Sequence, residues 1–178
     1  ANYFLNGFDS EVKGIDIAAN YRFDDVFEGT LTVDVRHNWN EQQISNIAAG
    51  SINASRVYDL ENQVPENSTV VSLDYTRGAF DGLVRIRRYD DWSTTAGLFS
   101  PGDASDQYDY DGEFLVDLEL SLTVAENYRV SVGGENIFDT EPDSEQDPTS
   151  RFLGVDRSLT SPFGFNGGFW YARVSASF

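Results

Sequence analysis

His37 is the only histidine in the chain, and cysteine is absent. A histidine-assisted nucleophile therefore has one imidazole to draw on, and no serine sits in a nucleophile elbow. Disulfide frameworks and thiolate metal sites are excluded. Catalysis is not expected, and no cofactor is implied. His37 lies beside Trp39 on the apolar side of an alternating stretch. Asp103, Asp106, Asp109 and Asp111 form an oxygen-rich group, and such loops can hold Ca²⁺. Their spacing matches no EF-hand, so the plainer reading is a solvated acidic loop without metal. Arg85, Arg87 and Arg129 are candidate contacts for an anionic solute or for a domain filling an interior; the plainer reading pairs them with nearby carboxylates. Trp92, Tyr108 and Tyr110 read as exposed rings able to stack on a sugar or an aromatic chelate. No helix is expected after Gly133-Gly134, so strand packing is favoured over a phosphate cradle. A net charge of −18 over 178 residues repels phosphate backbones and argues against nucleic acid as a partner.

The elements that must carry these residues are strands. Residues 169–178 alternate strictly: Trp170, Ala172, Val174, Ala176 and Phe178 on one face, with Arg173, Ser175 and Ser177 on the other. The same period recurs at 14–23, 29–39, 69–75, 80–87, 113–122 and 128–135, which gives about seven strands. Short turns begin at Asp24-Asp25 and lie at 76–79 and 124–127. Long polar loops occupy 40–67, 90–109 and 140–166. Short and long connections alternate, as in a membrane barrel with periplasmic turns and outer loops.

Once loop length fixes the direction of each strand, the aromatics sort themselves. Phe23, Tyr75, Phe80, Tyr128 and Phe178 fall at the short-turn ends of the apolar face, and Trp39, Trp92, Phe138 and Trp170 at or near the long-loop ends. Amphipathic rings settle at the two water–lipid interfaces. Phe23, Trp39, Tyr75, Phe80, Tyr128, Trp170 and Phe178 are accordingly expected to form lipid-facing girdles. A soluble antiparallel sandwich also alternates, but it gives no reason to sort aromatics to strand ends. The fold class expected is all-β: an antiparallel transmembrane β-barrel segment. Charges on the second face, such as Asp34, Arg36, Arg85, Glu119 and Arg173, then face a wet lumen and pair across strands. Seven strands leave two open edges, so the chain is expected to be part of a larger barrel. An export leader is not visible and is expected to have been removed or to lie in a longer precursor. Val132→Arg on the lipid face should be costly, and Ser131→Arg on the wet face mild.

Three stretches resemble the TonB-dependent receptors of Gram-negative outer membranes. Residues 133–142, Gly-Gly-Glu-Asn-Ile-Phe-Asp-Thr-Glu-Pro, resemble that family's penultimate-strand signature. Residues 161–168, Ser-Pro-Phe-Gly-Phe-Asn-Gly-Gly, resemble its final loop, and Lys13-Gly14-Ile15-Asp16 the start of an earlier strand. The resemblance makes residues 1–178 the C-terminal part of a 22-stranded barrel, with the plug domain and earlier strands absent. It implies energised uptake of a scarce solute (a metal chelate, cobalamin or a glycan) at the outer membrane. Outer-membrane lipid, the rest of the barrel and plug, and TonB acting through the missing N-terminal part are the implied partners. Val174, Ala176 and Phe178 resemble the signal read by the barrel-assembly machinery, although the usual glycine five residues before the end is Arg173 here. A passive channel and a structural or adhesive barrel remain the alternatives.

Overall fold

The computed structural model describes residues 6–95, 106–125 and 127–177. In chain order its elements are β1 (Asp9–Val26), β2 (Gly29–Ser45), α1 (Ala54–Asn62), β3 (Asn67–Arg77), β4 (Phe80–Tyr89), β5 (Trp92–Thr94), β6 (Tyr108–Tyr110), β7 (Phe114–Val124), β8 (Tyr128–Glu135), α2 (Pro148–Phe152) and β9 (Phe169–Ala176). Seven strands form one antiparallel sheet in the order β1-β2-β3-β4-β7-β8-β9, and β5-β6 form a separate hairpin. The outer edges of β1 and β9 have no strand partner among the described residues, and the sheet is not closed.

Register converts each strand's alternation into two continuous faces. One row runs Phe23–Leu31–Tyr75–Gly82–Leu120–Val132–Ala172 through directly opposed residues, and the next runs Tyr21–Val33–Leu73–Val84–Leu118–Gly134–Trp170. A row on the other face runs Arg22–Thr32–Asp74–Leu83–Glu119–Gly133–Tyr171. A one-residue slip at any ladder would put charges among the aliphatics, so the pattern itself specifies the pairing.

The burial runs opposite to that of a water-soluble sheet. Among the described residues the buried apolar side chains are Trp92, Tyr110 and Leu115, with the prolines Pro65 and Pro142. The aliphatic face lies open on β1, β8, β9 and the Leu120–Val124 half of β7, with Val132 at 53% and Trp170 at 62% exposure, and is half-buried on β2 and β3. Ser121, Ser131 and Asp117, on the polar face of the same strands, are buried.

Several sequence expectations require correction. The first turn is not at Asp24-Asp25. Asp25, at φ 61°, sits in a bulge that shifts the ladder between Phe23 and Val26. The chain reverses at Phe27-Glu28, both with positive φ, as a tight two-residue hairpin requires. The first two strands also run past their expected outer ends, since β2 continues to Ser45 opposite Asp9. Above Trp39, however, the face inverts. Lys13, Glu11 and Asp9 stand where Ile15 and Ile17 stand below, while Val12 and Ile44 turn to the other side. A search for one constant apolar face loses the strand at that inversion.

The loop expected at 40–67 therefore holds a strand end and α1. The Asn53 side chain accepts from Arg56 N at 2.9 Å, which satisfies one free donor of the helix start. The loop at 90–109 contributes β5 and β6, and the loop at 140–166 contributes α2.

Candidate functional site

The three long connections fold together into one cap. α1 supplies Asp59, whose Oδ1 accepts from Thr94 Oγ1 at 3.0 Å, Thr95 N at 2.7 Å and Thr95 Oγ1 at 3.0 Å. The hydroxyls of Tyr58 and Ser93 share a bond of 2.7 Å. The hairpin supplies Trp92 and Tyr110, stacked with centroids 5.5 Å apart, and Phe163 meets Trp92 edge-on at 6.1 Å. The third connection closes on them. Trp92 Nε1 donates to Thr160 at 3.1 Å, Tyr110 OH donates to Glu145 at 2.9 Å, and Asp111 N donates to Asp143 at 2.7 Å. Burial, then donation to Glu145, holds the Tyr110 phenol well above its usual range. Asp147, the N-cap of α2, is held below the usual carboxylate range, chiefly by its hydrogen bond from Ser150.

The polar face below the cap is cross-linked by charge. Arg87 Nη2 meets Asp117 Oδ1 at 2.8 Å, Arg129 pairs with Asp81, and Arg173 Nη2 meets Glu119 Oε2 at 2.7 Å. Tyr171 OH donates to the same Glu119 oxygen at 2.6 Å, reaching across β8 from β9 to β7. It can do so because residue 133 is glycine: a Cβ there would lie 2.6 Å from the Tyr171 ring. On the opposite face Trp170 lies over Gly134, where a Cβ would come within 2.9 Å of the indole. Adjacent glycines on β8 thus receive adjacent aromatics of β9, one on each side of the sheet. Strand packing was the favoured sequence reading of Gly133-Gly134, and this geometry gives its form.

The residues after β8 make a closed clip. Asn136, with φ 50°, gives its backbone N–H to Asp117 at 2.9 Å. Its amide donates to Thr140 O at 2.7 Å and accepts from Thr140 N at 3.0 Å. Asp139 accepts from Gly168 N at 2.7 Å, which fixes the final connection just before β9. The sequence singled out this stretch by resemblance; its bonds serve strand termination.

The other predicted residues fall as follows. Trp92 at 3% and Tyr110 at 1% exposure are the centre of the cap, so neither ring is open for stacking on a solute, and Trp92 is no girdle residue. Tyr108 is half-buried, with its OH 3.4 Å from Asp147. The sequence showed polar loops around these rings, but not that distant loops would enclose them. Arg87 and Arg129 are paired, whereas Arg85 is exposed and makes no ion pair among the described residues. Phe23, Phe80, Tyr128 and Trp170 are exposed on the aliphatic face. Trp39 and Tyr75 share that face and are half-buried. Val174 and Ala176 are exposed on β9. Phe178 and Asp103 lie outside the described residues. Asp106, Asp109 and Asp111 are exposed, and no group of three or more metal-ligating side chains converges among the described residues. His37 Nδ1 lies 2.9 Å from the Thr69 hydroxyl, a bond between strands. Acidic residues including Glu61, Glu66, Asp90 and Asp109 line a cleft of about 600 Å³ between α1 and the hairpin.

Fold and site together define an antiparallel β-sheet protein with an open aliphatic face, a charge-paired polar face and a folded cap over one end. No protein-family model matches the chain, and no curated protein does.

Proposed function

We propose that this chain is part of the wall of an outer-membrane β-barrel and serves a TonB-dependent receptor for a scarce solute. The observation that carries the reading is the inverted burial of β7 and β8: Leu120, Leu122, Val130 and Val132 lie open on an aliphatic face that continues, half-buried, through β2, β3 and β4, while Asp117, Ser121 and Ser131 behind it are buried. In water such a face would drive association or collapse; in hydrocarbon it is the favourable arrangement. Its height suits a bilayer. From Phe114 to Val124 the apolar side of β7 covers roughly 34 Å along the strand at ~3.4 Å per residue, close to a 25 Å band when tilted as barrel strands are. The inversion of the β1–β2 ladder just above Trp39 supports a water boundary there. On this reading the unpaired edges of β1 and β9 meet further strands, because hydrocarbon cannot satisfy open backbone groups.

The receptor assignment within this class rests on the resemblance of residues 133–142 and 161–168, and on a cap that makes the outer end a specific surface. A passive channel is the second reading; a plug domain encoded upstream favours the receptor, and its absence the channel. The membrane reading is tested by single cysteines, since the native chain has none. Cysteines at Val130, Val132 and Val174 should react with a lipid-dissolved maleimide after reconstitution, and cysteines at Arg173 and Ser175 with a water-soluble one. Labelling without alternation would refute the facing. Solute uptake that persists in cells lacking TonB would refute the energised receptor.

A further inference from the structure

We propose that Asn166 is a site of self-modification: the backbone nitrogen of Gly167 displaces its side-chain amide, and the product frees the start of β9 from the clip after β8. The reaction needs only this stretch of chain and water, so it is independent of the membrane reading.

The chain contains two Asn-Gly pairs, at 6–7 and 166–167. Asparagine is a thermolabile residue, and a glycine after it leaves the next backbone nitrogen unshielded by a side chain. At 166–167 neither reacting group is restrained among the described residues. Asn166 lies outside helix and strand, its side-chain amide makes no hydrogen bond, and the Gly167 N–H makes none. The asparagines that build structure are committed instead: Asn136 is bonded through both ends of its amide to Thr140, and Asn53 accepts from Arg56 N. The fold also fixes the glycine. Gly167 has φ 66°, and a Cβ there would lie 2.5 Å from Asp139 Oδ1. Shielding the nitrogen with a side chain is therefore closed to this position.

The chemistry balances without an oxidant or cofactor. Gly167 N gives up its proton to hydroxide and attacks Asn166 Cγ. The N–Cγ bond forms, the Cγ–Nδ2 bond breaks, and Nδ2 takes a proton from water and leaves as ammonia. Water then opens the cyclic imide. Cleavage at Cγ gives aspartate; cleavage at the backbone carbonyl gives isoaspartate, in which the main chain runs through Cβ and Cγ and is longer by a methylene. The lengthened segment sits next to an anchor. Gly168 N donates to Asp139 Oδ1 at 2.7 Å, and a Cβ on Gly168 would lie 2.8 Å from Asn136 O, so residues 167 and 168 are pressed against the clip. An added methylene at 166 displaces both, and the Gly168 amide loses its acceptor.

The test is to age the full-length protein in detergent beside a free peptide of residues 163–169, in mildly alkaline buffer. Peptide mapping by mass spectrometry measures conversion, isoaspartyl methyltransferase reports isoaspartate, and hydrogen exchange over 166–169 reads the bond to Asp139. Asn166 should convert in step with the free peptide, and converted molecules should exchange faster. Asn166→Gln should keep slow exchange through the same ageing, which separates this pair from Asn6-Gly7. Asn166→Asp adds the charge without the methylene and should also exchange slowly. An intact Asn166 when the peptide has fully converted overturns the proposal. So does conversion without faster exchange, or an Asn166→Asp variant that exchanges as fast as the aged protein. The cysteine labelling pattern is untouched by any of these outcomes.

Discussion

The phenol of Tyr110 shows how much a single residue's role depends on partners distant in sequence. Its hydroxyl donates to Glu145, a buried carboxylate 35 positions away. Tyr110→Phe leaves that carboxylate short of a donor, so the cap should lose about 1–3 kcal/mol. The expected sign is faster limited proteolysis within residues 140–168 at neutral pH, and an unchanged cleavage rate would contradict the role. The pH dependence follows from two of the three groups shifted in the cap, Tyr110 and Asp147; Tyr108 is raised in the same direction as Tyr110. Tyr110 is raised, so its contribution is complete below the ordinary phenol value near ~10 and is lost as pH rises through the higher folded value. Asp147 is lowered, so its contribution is present above about 4 and is lost as pH falls through the lower folded value. As far as these two groups decide it, proteolytic protection of the cap should be flat around neutrality and fail only toward the acidic and alkaline limits. Protection that changes between pH 6 and 8 would show that another group controls it. In the sequence, Trp92 and Tyr110 were visible as aromatics in polar surroundings, and nothing local marked them as a core. Trp92 finds its partner Thr160 68 positions away.

At the scale of elements, the strands were legible because a period of two survives any tertiary context that keeps one face apolar. The outermost five pairs of the β1–β2 ladder were not, because the polarity of the faces reverses there while the backbone continues. α1 left a weaker trace: Asn53 as a cap, and no glycine or proline from 54 to 64. The β8–β9 contact gives a paired prediction. Gly133→Ala puts a carbon 2.6 Å from the Tyr171 ring and 2.9 Å from Leu118 O, so Tyr171 must leave Glu119. The loss should be about 1–3 kcal/mol. Gly82→Ala meets nothing nearer than 3.5 Å and should be neutral or slightly stabilising, by up to about 1 kcal/mol. Equilibrium unfolding in urea from lipid vesicles measures both, and similar values for the two would refute the role assigned to Gly133.

For the whole molecule, the decisive contrast is between the two faces. Val132→Arg places a charge on the open aliphatic side and should reduce stability by roughly 2–4 kcal/mol in a bilayer. Ser131 is an unsuitable control, contrary to the sequence expectation. It is 2% exposed and bonds to Ser121 at 2.7 Å, so an arginine there would be strained for reasons of packing. Asn20→Arg is the better choice, because Asn20 is exposed on the polar face and stands opposite Asp34. It should change stability by less than about 0.5 kcal/mol. Equal losses at Val132 and Asn20 would argue against lipid on one side and water on the other. The sequence carried this two-sidedness in full, since it is a property of alternation alone. What closes over the end of the sheet was hidden, since it depends on contacts between separate loops. Glu61 of α1 accepts from Ile44 N, Asp59 holds Thr94 and Thr95, and Trp92 and Tyr110 hold the last connection. A two-stranded ribbon such as residues 9–13 with 41–45 is marginal by itself, and here a nine-residue helix buttresses it. A pull on any of the three is therefore shared by the other two, and the rim swings as one visor or stays shut.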